Sequence, residues 1–404
     1  MKYTNVYIWS GIDRLGTACI SFLCNIVLAR LLSTDDFGIV GMVTIFFSIA
    51  YSFTDCGLSD GLIKMEAPQK KDYGTVFVFN LSVGAIIAIL FTVTAYPISE
   101  FFNEQKLVSV IQMLGIALLL HSMTFVEETR LRKELKMRYL AIVKLIASFL
   151  ASLCSIGMAC YGWGYLSLVY LQLFIPLFIL LGFIFITHWR PLFYFNKQTF
   201  RTLWGYGHHL LITFFINQTG RNLNSFILGK TSTAHTVGLY AQAQKLQEVP
   251  MMIIDSIICN TSYPVLSNML DSNEKTAFIK KLTKRVIFIN VLVTTLLYIM
   301  APFLIRLFYG AKWEMAIPIF RALLIVGLLL VTKSFLQTLL KSYGAFAKIK
   351  LLAFIEICVQ VLLVLITFKY GIYAIIGGQA LTLAISIILH YIFFVFAKKS
   401  SHGI

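Results

Sequence analysis

The sequence predicts an all-α integral membrane protein of about twelve transmembrane helices, arranged as two six-helix halves facing a shared central cavity. Three observations predict it. Of 404 residues, 58% are hydrophobic and only 13% charged, and the mean hydropathy is +0.82, well outside the range of an ordinary soluble domain. Apolar stretches of roughly 20 to 28 residues, separated by short polar connections, recur along the whole chain. A polar stripe in the first stretch returns 200 residues later.

Taken in order, the spans are expected at about 6–32, 37–56, 74–98, 106–126, 140–160, 165–186, 202–228, 237–264, 284–302, 313–340, 346–368 and 372–396. The first contains Asp13 and Arg14 and lacks a small-residue cleavage site, so it is expected to be retained. The most polar connection, Thr187 to Arg201, divides the chain into an amino-terminal lobe (1–186), a cytoplasmic linker (187–201) and a carboxyl-terminal lobe (202–404). With no connection above about 20 residues, a separate soluble catalytic domain has no room.

The formal net charge of +16 raises the question of nucleic acid. Its distribution answers it. Numbering connections from a cytoplasmic amino terminus, the even ones hold Lys64, Lys70 and Lys71; Arg130, Arg132, Lys133, Lys136 and Arg138; Arg190, Lys197 and Arg201; Lys275, Lys280, Lys281, Lys284 and Arg285; and Lys341, Lys348 and Lys350. The odd ones hold Lys106, Lys230, Arg306, Lys312 and Lys369. That asymmetry follows the positive-inside rule with both termini cytoplasmic, so the basic excess reports topology and no nucleic-acid partner is expected.

Ser10, Arg14, Thr17, Ser21 and Asn25 follow helical spacing through the first span, and Asn217, Arg221 and Ser225 occupy the positions of Thr17, Ser21 and Asn25 plus 200. Unpaired polar groups facing lipid cost several kcal/mol, roughly 2.5 to 3.5 for one central Arg, so the stripes are expected to face protein or a wet cavity. At the same offset Leu28 matches Leu228, Arg30 Lys230, Ser33 Thr233, Gly38 Gly238 and Asp55 Asp255. In the second span Thr44, Ser48, Ser52 and Asp55 form a further stripe, Gln244, Glu248 and Asp255 fall at equivalent positions in the eighth, and Pro97 and Pro302 are expected to end the third span of each half. Duplicated six-span units insert the same way round, with substrate sites near mid-membrane at the repeat interface.

Candidate residues follow from charge at depth. Arg14, some eight residues into its span, suits a phosphate or an ion pair with Asp13 or a neighbouring acid. Arg221 lies among Asn217, Gln218, Asn222 and Asn224, a guanidinium among amides that suits bidentate phosphate recognition with hydrogen bonds to sugar hydroxyls, or a structural network between helices. Lys333, Gln337 and Lys341 stack on one helix face. Asp55, Asp255 and Glu356 are candidates for ion coupling, with a Glu356–Lys333 salt bridge the alternative for Glu356. His208 and His209, near the mouth of the seventh span, read as interfacial.

No phosphate-binding Gly-rich loop, HExxH or GxSxG occurs, so no enzyme, metal or cofactor is expected. The seven cysteines are expected to be small buried hydrophobes. Glu127 to Arg138 mixes signs and reads as a solvated loop touching anionic headgroups.

Trp9-Ser10-Gly11, the run Leu28 to Met42 (LARLLSTDDFGIVGM), Phe53 to Ser59 (FTDCGLS) and Gly238 to Gln242 (GLYAQ) together resemble the Wzx-type polysaccharide flippases of the multidrug/oligosaccharidyl-lipid/polysaccharide (MOP) superfamily. The likeness spans the chain in hydropathy and is most specific over 9–63 and 200–265. It implies a V-shaped, MOP flippase-like fold that alternates between inward-open and outward-open states in the bacterial inner membrane. It also implies an undecaprenyl-pyrophosphate-linked glycan as substrate for O-antigen, capsule or exopolysaccharide, with membrane lipids and the glycan polymerase machinery as partners. By position, Arg14, Arg221 and Lys333 would then line the cavity with positive charge. Some members carry further carboxyl-terminal spans, which are not expected here.

Two other readings compete. A small-solute or drug antiporter of the same superfamily would favour an acidic, aromatic cavity for organic cations, whereas the deep charges here include three cations. A membrane-embedded glycan polymerase or ligase would carry a large external loop with catalytic Arg or His, and the external connections are short.

Overall fold

A computed structural model of the chain describes residues 2–269 and 272–402. Among these no strand occurs, and the chain divides into two compact units, Met1–Lys230 and Thr231–Ile404. The first holds α1 (Lys2–Leu31), α2 (Thr34–Asp55), α3 (Leu58–Lys64), α4 (Lys70–Phe102), α5 (Leu107–Lys133), α6 (Met137–Cys160), α7 (Tyr165–Ile186) and α8 (Lys197–Thr231), whose last residue opens the second unit. There follow α9 (Ala234–Asn268), α10 (Ser272–Phe308), α11 (Ala316–Ser342), α12 (Phe346–Thr367) and α13 (Ile372–His402).

Ten spans among the described residues are long and apolar enough to cross a membrane: α1, α2 with α3, α4 to α7, and α10 to α13. The expected seventh and eighth spans fall on α8 and α9, each 35 residues long but richer in amides and charge. The chain is a multi-pass membrane protein.

The offset of 200 reappears in the helix starts. Ser33 caps α2, its hydroxyl accepting the Asp36 N–H at 3.2 Å while the Asp36 carboxylate accepts the Ser33 N–H at 2.9 Å. Thr233 caps α9 in the same way, accepting the Thr236 N–H at 3.4 Å. The packing repeats too. In the first unit α4 lies on α5, α2 and α7 also lie on α5, and α6 lies on α7; in the second, α10, α9 and α13 lie on α11, and α12 lies on α13.

Three details differ from expectation. Pro97 and Pro302 sit inside α4 and α10 rather than at their ends, and both helices run on to Phe102 and Phe308. Residues 127–133 are not a solvated loop: they complete α5, and Glu127 is fully buried, accepting from Arg130 Nη2 at 2.7 Å and from the Thr187 hydroxyl at 2.8 Å. Of the cysteines, all free, only Cys24 and Cys56 are buried and Cys259 is half-buried; Cys19, Cys154, Cys160 and Cys358 lie exposed on helix surfaces.

Between helices in a bilayer, packing replaces lipid contacts rather than water, so close approach matters more than burial as such. Gly84 on α4 shows this, because a Cβ there would stand 2.7 Å from the Ser122 Cβ on α5 and closer still to its hydroxyl. In the second unit a Cβ on Gly327 of α11 would meet Met251 of α9 at 2.9 Å and the Gln247 amide more closely. The first unit's core, including Phe77, Leu131, Leu140, Phe183 and Trp189, gathers α4 to α7 and the connection after α7.

Candidate functional site

The polar stripe of α1 is only partly a demand for polar surroundings. Ser10 donates to the Val6 carbonyl at 2.7 Å and Thr17 to the Asp13 carbonyl, and in α2 Thr44, Ser48 and Ser52 donate one turn back at 3.0, 2.7 and 3.1 Å. A hydroxyl satisfied by its own helix can face lipid at little cost. Of the rest of the stripe, Asn25 is buried, and Arg14 and Ser21 are exposed.

Asp13 and Arg14 diverge. Asp13 is half-buried and lies within electrostatic reach of Lys144, Glu128 and Arg132. On α5, Glu128 forms ion pairs with Arg132 one turn further along and with Lys144 of α6. His121, two turns earlier on α5, meets the Tyr51 ring of α2 edge to face at 4.9 Å between centroids. Sequence reasoning missed this cluster. Its signal was Lys144, a cation seven residues inside an apolar span, but Glu128 was assigned to a loop.

On α8, Arg221 is exposed, Asn224 is buried with 1% exposure, and Asn222 donates to the Gln218 carbonyl of its own helix at 3.0 Å. The Asn217 and His209 side chains lie outside the described residues. The His208 ring donates through Nδ1 to the Trp204 carbonyl at 2.8 Å.

Asp55 closes α2 at a break. Cys56 and Gly57 both adopt left-handed backbone, with φ of 51° and 71°, so the helix stops and α3 starts afresh at Leu58. One Asp55 oxygen accepts from the Ser59 hydroxyl, from the Ser59 N–H at 3.3 Å and from the Asn80 amide of α4 at 3.3 Å. Asp255, inside α9, accepts from Cys259 at 3.3 Å, whose sulfur is 3.4 Å from the Ser334 hydroxyl on α11.

The most developed network lies in the second unit. Lys333 Nζ on α11 is 2.8 Å from Glu356 Oε1 on α12, and Glu356 Oε2 accepts the Ser386 hydroxyl of α13 at 2.7 Å. His390, 1% exposed, donates through Nδ1 to the Ser386 carbonyl at 2.8 Å. Three helices are thereby joined through one carboxylate. Of the two possibilities the sequence left for Glu356, the salt bridge forms, and Lys333 is a paired cation in this state. Lys341 is exposed at the end of α11. His390 had no place among the sequence candidates, although its spacing of one turn from Ser386 was visible.

Among the described residues no group of His, Cys, Asp and Glu forms a metal cluster. What the arrangement offers is exposed guanidiniums on α1 and α8, Arg14 and Arg221 among them, and carboxylates with partners of their own.

Comparison with known proteins adds kinship. A family model described as "Polysaccharide biosynthesis protein" matches residues 27–318. The chain is 23% identical over 327 residues to the lipopolysaccharide biosynthesis protein WzxC of Escherichia coli, covering 80% of this chain and 66% of WzxC. It spans about two thirds of the length of the curated relatives it matches. Among solved structures, the lipid II flippase MurJ in its inward closed conformation superposes with a TM-score of 0.73 at 14% identity, covering 95% of this chain and 86% of that one. An inward-facing multidrug resistance MATE transporter of the MOP superfamily gives 0.68 at 16% identity, covering 95% and 96%. The fold is that of the MOP transporters, and the relatives are biosynthesis and transport proteins.

Proposed function

We propose that this chain, which belongs to the family of polysaccharide biosynthesis proteins, moves undecaprenyl-pyrophosphate-linked oligosaccharide units from the cytoplasmic to the outer leaflet of the bacterial inner membrane by alternating access. The observation that carries this reading is the exposure of Arg14 and Arg221 on the long helices α1 and α8. A guanidinium there is costly against lipid and well suited to a pyrophosphate, which it can grip through two parallel hydrogen bonds.

In this reading Arg14 and Arg221 hold the headgroup, and Asn217 and Asn224 hydrogen-bond the sugars. Asn224 is buried here, so it would reach the glycan in another state of the cycle. Lys333, once released from Glu356, is a further cation for the substrate, and its release leaves a carboxylate able to take up a cation. Asp55 and Asp255 are the further coupling positions. Both termini lie in the cytoplasm, and the glycan polymerase machinery receives the product.

The headgroup carries about two negative charges, so an inside-negative potential favours its outward passage by roughly 4 to 5 kcal/mol per 100 mV. The test is reconstitution into vesicles with a fluorescent polyprenyl-pyrophosphate oligosaccharide, scoring glycan access to an external modifying enzyme with and without an imposed potential. Protein-dependent movement is expected. Efflux of an organic cation with no glycan movement would favour a small-solute antiporter.

A further inference from the structure

We propose that the connection between α7 and α8 is a membrane-surface site that binds anionic phospholipid headgroups. Residues 187–196 form no helix, yet their inner side is fastened to the first unit. Thr187 donates to buried Glu127 at 2.8 Å, and Trp189 packs edge to face on Phe77 with 5.5 Å between centroids. The Asn196 N–H donates to the Thr75 hydroxyl at 3.1 Å, and the Thr199 hydroxyl donates to Asp72 at 3.0 Å. The segment is a fixed surface.

Its outer side is of a different character. Leu192, Phe193 and Phe195 stand exposed, Phe193 by 70%, and on either side of them along the chain stand the exposed cations Arg190, Lys197 and Arg201. From Thr187 to Arg201 there is no Asp or Glu. Lys71 adds a cation over the Tyr194 ring at 5.4 Å from its centroid. The nearby acid, Asp72, is already engaged by the Thr199 hydroxyl and, at 2.8 Å, by the Gln69 N–H.

Location selects the partner. The connection begins one residue after α7, an apolar span, and so leaves the bilayer at headgroup depth. There aromatic rings settle among the carbonyl and glycerol groups while cations meet lipid phosphates. Large apolar side chains held outward and flanked by an excess of positive charge match that layer in both respects. Water alone would solvate the cations and leave the rings uncovered. This surface meets lipid whatever cargo the chain carries.

The test uses the full chain in nanodiscs of mixed phosphatidylglycerol and phosphatidylcholine, with a spin label on one lipid or the other, reading the preference for the anionic lipid from the motionally restricted fraction. The variant Arg190→Gln/Lys197→Gln/Arg201→Gln is compared with Lys280→Gln/Lys281→Gln/Lys284→Gln, which removes equal charge from α10. At low salt the first triple is expected to lose preference by at least about fivefold, the worth of one fully engaged cation, and the second to change little. Phe193→Ser/Phe195→Ser is expected to weaken retention of both lipids with the preference kept. Equal loss in the two triples, or wild-type preference in the first, overturns the proposal. All substituted side chains are exposed or half-exposed, and unchanged helical circular dichroism verifies the fold. No outcome depends on transport.

Discussion

Lys333 and Glu356 close an ion pair of 2.8 Å between α11 and α12. The corresponding helices of the first unit, α5 and α6, are joined by Glu128 and Lys144 with the charges exchanged. Each unit thus pins the same helix pair through one carboxylate and one ammonium, and each carboxylate has a further partner, Ser386 or Arg132. The two units thus share a packing scheme and an ionic tie of opposite polarity.

Removing one member of the Lys333–Glu356 pair should cost more than removing both. The two side chains are 18% and 16% exposed, so Glu356→Ala leaves a largely dehydrated ammonium without its counter-charge. The expected loss is about 2 to 4 kcal/mol for the single variant and distinctly less for Lys333→Met/Glu356→Met, in which no charge is stranded. Thermal unfolding of the three proteins in detergent measures it. Equal costs would mean that water, not Glu356, solvates Lys333.

Gly84 should tolerate no side chain while Ser122 faces it. Gly84→Ala places a methyl 2.7 Å from the Ser122 Cβ, so α4 and α5 must part or bend, at a cost of about 1 to 3 kcal/mol. Ser122→Gly alone removes a buried hydroxyl that bonds only to the Leu119 carbonyl of its own helix at 2.6 Å. Combined with Gly84→Ala it should recover much of the loss, a coupling that a double-mutant cycle on the unfolding midpoint reads directly. Additive losses would place the damage elsewhere than this contact.

Hydropathy made the spans legible because length and apolarity are imposed by the bilayer, and the Ser33–Thr233 match at the offset of 200 falls on two helix caps. Interactions across helices were less legible. Glu128 was lost to a loop because its neighbours Glu127, Arg130 and Arg132 give a mixed-charge string that resembles a solvated turn, whereas the pairing partners lie far along the chain, Lys144 on α6 and Thr187 in the connection after α7. The break after Asp55 had no sequence sign at Cys56, a residue that seldom takes positive φ. The hydroxyls of α1 and α2 signalled polarity that their own backbone had already absorbed, and so overstated how much of each stripe needs a cavity.

Arg14 and Arg221 are expected to separate charge from geometry in transport. Both are exposed, so replacing them removes little packing, and the variants should insert and purify as the parent does. If each guanidinium grips a phosphate through two parallel hydrogen bonds, Arg→Lys keeps the charge but loses the fork. Export by Arg14→Ala and Arg221→Ala should then fall by about tenfold or more, and the Lys variants should recover only part of it, since a charge-assisted hydrogen bond contributes roughly 1.5 to 3 kcal/mol. The vesicle assay with the polyprenyl-pyrophosphate oligosaccharide measures both series at matched protein content. Full activity in the Lys variants would mean that the site reads charge alone, and full activity in both Ala variants would remove the two arginines from the substrate path.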